Sequence, residues 1–79
     1  MELTKKQKAN AMACLIESGF YDYFDKIKWL PKRHKFLYVY DLDCKAYLSQ
    51  KELAQQFDTL EIEDRNYALE RLEELGGII

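Results

Sequence analysis

The chain has 79 residues, which suffices for one domain near the lower size at which a single core sustains a fold. Its composition, 48% hydrophobic and 33% charged with three glycines and one proline, excludes an intrinsically disordered or low-complexity chain. The net charge of −2 says little as a sum, but no apolar run approaches the roughly 20 residues of a membrane-spanning helix.

Thr4 is the expected N-cap of a first helix over 5–18, in which Ala9, Met12, Ala13, Ile16 and Phe20 recur at helical steps as one apolar stripe. Gly19 is its natural stop, because glycine enters the left-handed conformation without steric cost. A second short helix is expected over 21–29, with Phe20, Phe24 and Ile27 on one face and Pro31 blocking its continuation. Residues 35–41, Lys-Phe-Leu-Tyr-Val-Tyr-Asp, carry the strongest β character of the chain and favour a strand, with the start of a short helix as the alternative that periodicity does not separate in so few residues. A return strand is expected over 44–48 after a turn at Leu42 and Asp43. Ser49 with Glu52 has the spacing of a capping box and opens a third helix over 50–57. Asp58 with Glu61 repeats that spacing and predicts a fourth helix running to Leu75, where Gly76-Gly77 ends it. Its stripe is Ile62, Ala68, Leu69, Leu72 and Leu75.

The expected fold is mainly α, four helices with a short β-hairpin between helices two and three and about 55–65% helix, in one domain over 1–79. There is no internal linker, repeat or low-complexity segment.

Charge is unevenly placed. Between Lys26 and Lys35 lie five basic residues (Lys26, Lys28, Lys32, Arg33, Lys35), the lone His34 and Trp29, with no acid. Basic charge beside an aromatic ring can hold a phosphate backbone and stack a base, so this run is a nucleic-acid patch to be weighed against a plain solvated connector. Between Glu61 and Glu74 lie six acids, Glu61, Glu63, Asp64, Glu70, Glu73 and Glu74, against Arg65 and Arg71. Such polarity bears on partners rather than on fold.

Residues for catalysis are sparse. A nucleophile needs a nearby base and an orienting group, and His34 is the only imidazole. One histidine and two widely spaced cysteines, Cys14 and Cys44, do not make a zinc site, and no glycine-rich loop is present to cradle phosphate. The expectation is a non-enzyme without cofactor or metal, whose cysteines are buried free thiols. The start, Met-Glu-Leu-Thr-Lys-Lys, lacks the apolar stretch of a secretory signal, so the expected location is the cytoplasm and not a membrane.

Two segments resemble known families. Asp41-Leu-Asp43-Cys-Lys45-Ala-Tyr47-Leu-Ser49-Gln-Lys-Glu52 resembles a calcium-binding EF-hand loop, with Asp at positions one and three, a hydroxyl at nine and Glu at twelve. It departs from that pattern at Lys45, where an oxygen ligand belongs, and at Ala46, where the family has glycine. The stretch Leu48-Ser-Gln-Lys-Glu-Leu-Ala-Gln-Gln-Phe57 with Arg65-Asn-Tyr-Ala-Leu-Glu-Arg-Leu-Glu-Glu-Leu-Gly-Gly-Ile78 resembles the second and third helices of a winged helix-turn-helix. That resemblance implies a DNA-binding regulator. The would-be recognition helix, however, opens with Glu61, Glu63 and Asp64, which repel phosphates. Arg65 stands where the family buries a branched residue, and the turn is about one residue longer than usual.

The reading that follows is a small protein-binding module or inhibitor whose acidic helical face meets a partner with a basic surface, of the kind seen in phage-encoded anti-defence (anti-CRISPR-like) proteins. A winged-helix-like DNA-binding regulator and a degenerate EF-hand calcium-binding protein are the alternatives, and the aromatic surplus also allows a homodimer.

Overall fold

Thr4 closes a reciprocal cap at the start of the first element: its Oγ1 accepts the Gln7 amide at 3.1 Å, and the Gln7 side chain accepts the Thr4 amide at 2.8 Å. The fold is described by a computed structural model covering residues 2–22 and 24–79. In it α1 (Lys5–Glu17) is followed by β1 (Phe24–Leu30), β2 (Lys35–Tyr40), β3 (Cys44–Leu48), α2 (Gln50–Asp58) and α3 (Ile62–Leu75). Three helices and a three-stranded sheet make the domain α+β.

This corrects the mainly α expectation of four helices and a hairpin. The segment expected as a second helix over 21–29 contains β1 instead; Tyr23 of that segment lies outside the described residues. Apolar spacing at Phe20, Phe24 and Ile27 suits a helix, yet Lys26-Ile27-Lys28-Trp29 alternates with the period of a half-buried strand, and only Ile27 of the first three is buried. Tertiary context decides between the two. β2 is flanked by β3 on one side and requires a partner on the other, which β1 supplies. Pro31 then opens a turn rather than stopping a helix: the Arg33 amide donates to Leu30 O at 3.1 Å, and His34 takes the left-handed conformation at φ 52° that lets Lys35 pair with Leu30.

The sheet is an antiparallel meander of order β1-β2-β3. Phe36 is opposite both Trp29 and Leu48, and Tyr38 is opposite Ile27 and Ala46, so these side chains share one face. That face meets α1, α1 packs in turn on α2 and α3, and Phe36 is fully buried. With neighbours on several sides, α1 buries Ala9 and every residue from Ala11 to Ile16 rather than a narrow stripe. Its alanines permit close approach. Phe20, expected in that stripe, emerges beyond Gly19 and is 37% exposed.

The last two helices begin where their sequences indicate, with one correction. Ser49 Oγ accepts the Glu52 amide at 3.1 Å and caps α2. Asp58 does not cap the next helix. It is the last residue of α2 and pairs with Lys8 at 2.9 Å, while Glu61 occupies the N-cap of α3 without a side-chain cap bond. Gly76, at φ 77°, closes α3 with its amide on Leu72 O at 2.8 Å. The chain then lies back on α1.

Candidate functional site: two surfaces of opposite charge

On α3 the buried residue is Ala68, with Leu69 and Leu72 packed beside it. At 100° per residue, Glu63, Glu70 and Glu74 fall within a narrow arc opposite Ala68, with Asn66 flanking it on one side and Tyr67 on the other, and Glu73 lies beyond Asn66. All four glutamates are exposed. Of the six acids singled out from sequence, the structure therefore groups four on one outward stripe. Asp64 is half-buried at the side, and Glu61 is at the N-cap.

Local energetics separate these acids into two groups. Glu63 and Asp64 lie in the first turn, where carboxylates complement the helix dipole. Glu73 and Glu74 lie in the last turn, which holds no basic residue, and there the dipole opposes them. Glu70 and Glu74 are also like charges at i,i+4, an unfavourable pairing. Arg71 pairs with Glu74 and offsets part of this. Tyr67, 42% exposed, adds an aromatic ring to the stripe, with the Phe20 ring 6.4 Å away and Tyr21 edge-on to Phe20 at 4.9 Å.

The basic run occupies β1 and the β1–β2 turn. Lys26, Lys28 and Lys35 point away from the helices, and Lys32 and Arg33 lie exposed in the turn. Trp29 is on the opposite face from Lys26 and Lys28. Half-buried, it packs edge-on to Phe36 at 4.9 Å and near His34 at 6.2 Å, so it belongs to the core. The aromatic residue among these cations is Tyr47 of β3, with the Arg33 guanidinium 5.1 Å from its ring centre. Tyr47 and Lys45 were missed because cross-strand pairing, not sequence proximity, places them in the same rows as Lys28 and Lys26, with Leu37 and Val39 of β2 between. Period-two alternation along 44–48 was the available signal.

The EF-hand-like segment is divided among three elements: Asp41 and Asp43 in the β2–β3 turn, Lys45 to Leu48 in β3, and Glu52 in α2. Among the described residues no three His, Cys, Asp or Glu side chains form a group able to hold a metal ion. In the helix-turn-helix-like segment, α2 and α3 are joined by residues 59–61 and both rest on α1. The sheet lies between α1 and α2 in the chain and not after α3. Arg65 is half-buried beside a groove of about 330 Å³ lined also by Lys8, Phe57 and Asp58, and its Nε has no hydrogen-bond partner. Both cysteines are free: Cys14 is buried as expected, whereas Cys44 is exposed at the start of β3.

Compared with known proteins, the chain matches no family model, no curated protein sequence and no solved structure. Among the described residues no helix is long and apolar enough to cross a membrane.

Proposed function

We propose that this chain is a non-enzymatic, cytoplasmic binding module that docks a protein partner of basic surface on the outer face of α3. The observation that carries the reading is the placement of Glu73 and Glu74 in the last turn, where the dipole disfavours them, with Glu70 a like charge one turn before Glu74. Residues that break a local rule without a matching structural gain are expected at functional positions. Glu63 extends the same stripe, and the Tyr67–Phe20 pair offers an apolar anchor within a charged rim, the arrangement from which interfaces draw affinity and orientation. A partner whose basic site is built for nucleic acid would accept these carboxylates in place of phosphates, which makes the module an inhibitor of that partner.

The test is affinity capture with the wild-type chain, a Glu70→Lys/Glu73→Lys/Glu74→Lys variant and a Tyr67→Ala variant. The expected result is a partner retained by the wild type and lost from both variants. Equal recovery by all three overturns the proposal.

A further inference from the structure

The helices cover only one face of the sheet. On the other, Lys26 of β1, Val39 of β2 and Lys45 of β3 form one cross-strand row, and Lys28, Leu37 and Tyr47 form the next. Leu30 and Lys35 complete the face towards the turn. Every lysine here is exposed, Tyr47 is 45% exposed, and Leu30, Leu37 and Val39 are half-buried. No acid occupies a position of 26–30, 35–39 or 45–47 that points to this side. In a chain with more acids than bases overall, the lack of a carboxylate on this side among the described residues 26–30, 35–39 and 45–47 makes a strongly biased surface.

The pattern has an internal order. Lys26, Lys28 and Lys45 stand on the two edge strands, Lys35 stands at the turn end of the central strand, and Leu37 and Val39 of that strand supply an apolar floor. Arg33 reaches over Tyr47, and beyond Leu30 a hollow of about 310 Å³ is lined by Leu30, Pro31, Lys32 and Arg33. A duplex would offer phosphates to the lysines but keep its base faces stacked away from Leu37, Val39 and Tyr47. A single strand can place phosphates along the rims and unstacked bases on the floor, with one base against the Tyr47 ring or the Arg33 plane. An anionic membrane would meet the charges without using the ring.

The geometry points to a second binding surface, in which the open face of the sheet takes single-stranded nucleic acid through Lys26, Lys28, Lys35 and Lys45, with Tyr47 as its stacking platform. This goes beyond the proposed function and does not depend on it: both faces point away from α1, and either can bind while the other is altered.

Fluorescence anisotropy with a labelled oligothymidylate of about 12 nucleotides tests the site, since one such surface spans roughly 4–16 nucleotides. Binding is expected at low salt, with log K falling against log salt at a slope of about −3 for four or five neutralised phosphates. Lys28→Glu/Lys45→Glu should weaken it by about tenfold or more, and the milder Lys28→Gln/Lys45→Gln by less, with unchanged far-ultraviolet spectra. Tyr47→Ala should weaken it about fivefold or more, while Tyr47→Phe retains it. Reversing Glu70, Glu73 and Glu74 should leave it intact or tighten it. The inference is overturned by no binding at low salt, by binding indifferent to the lysine changes, or by equal affinity for a duplex of the same length. Equal affinity for anionic vesicles, or occupation of the face by a second copy of the chain in sedimentation, overturns it as well.

Discussion

Asn10 holds the segment after α3 against α1: its Oδ1 accepts the backbone amides of Ile78 at 2.9 Å and of Ile79 at 3.0 Å. Sixty-eight residues separate Asn10 from Ile78, so one side chain ties the first helix to the end of the fold. Gly77 passes close enough that an added Cβ would meet the Asn10 carboxamide at 3.2 Å, and its φ of 97° already disfavours any other residue.

Removing this tie should loosen the segment without dissolving the domain. Asn10→Ala is expected to cost about 1–3 kcal/mol, the loss of two partly buried hydrogen bonds, with the largest gain in amide exchange at Ile78 and Ile79. Gly77→Ala should cost more than Gly76→Ala. Both adopt positive φ, a penalty of about 1–2 kcal/mol, but only position 77 also crowds a neighbour, the Asn10 carboxamide. Urea midpoints for the three variants check the order.

Helix caps give a second set of values. Thr4→Ala should destabilise by about 1 kcal/mol, because it removes the Oγ1 arm of the reciprocal cap while the residue-4 backbone amide still donates to Gln7, and Ser49→Ala should cost a similar amount. Asp58→Asn should be nearly neutral: the Lys8–Asp58 pair is solvated, with the aspartate side chain 52% exposed, and exposed pairs contribute about 0–1 kcal/mol. A cost for Asp58→Ala as large as that for Ser49→Ala would restore Asp58 as a cap, because alanine, unlike asparagine, cannot cap a helix.

The thiols should behave oppositely. A thiol reagent should modify Cys44 at once in the native protein and Cys14 only on unfolding. Burial pushes the Cys14 thiol above its ordinary pKa, opposed by a hydrogen bond with the Gly77 backbone and by the positive charge of Arg71. The folded state therefore keeps this proton after the unfolded chain has released it. The stabilising contribution is complete below about pH 8.5, the unfolded value, and is lost as pH rises from there through the raised folded pKa. Relative to the wild type, Cys14→Ala should show a roughly constant offset at neutral pH that narrows under alkaline conditions. Parallel stability curves through pH 10 would contradict this.

How much of this was legible depends on whether the signal is local. Thr4, Ser49, Gly19 and Gly76 act through bonds or conformations within one turn, and the ends they mark lie within a residue or two of expectation. Aromatic and branched residues favoured strands at Lys35–Tyr40 and Cys44–Leu48, but periodicity over so few residues left a helix open for the first, and the pairing of β2 on both sides settles it. β1 was not, because Phe20, Phe24 and Ile27 satisfy a helical period while Lys26 to Trp29 satisfy a strand period, and the need of β2 for a second neighbour decides the matter. The same non-local pairing hid Lys45 and Tyr47 from the basic surface and withdrew Trp29 from it. The acidic stripe was legible because it follows a single helix. Its contest with the dipole became visible only once Ile62 and Leu75 bounded α3.

Neutralising that stripe should stabilise the fold while weakening its proposed use. Glu70→Gln removes a like-charge i,i+4 contact with Glu74 and should raise stability by about 0.2–0.5 kcal/mol. Glu73→Gln should add about 0.3–1 kcal/mol by relieving the dipole. Added salt should narrow both differences. Thermal melts in low and high salt measure this, and a loss of stability on either change would remove the local-strain argument for a binding role.

The most direct measurement is photo-crosslinking from position 67, with a photoreactive amino acid in place of Tyr67 at the edge of the acidic stripe. The expected outcome is a discrete protein adduct that disappears when Glu63, Glu70 and Glu74 are changed to lysine and persists when Lys28 and Lys45 are changed to glutamate. No adduct from position 67, or one that survives reversal of the stripe, contradicts a basic partner on the outer face of α3.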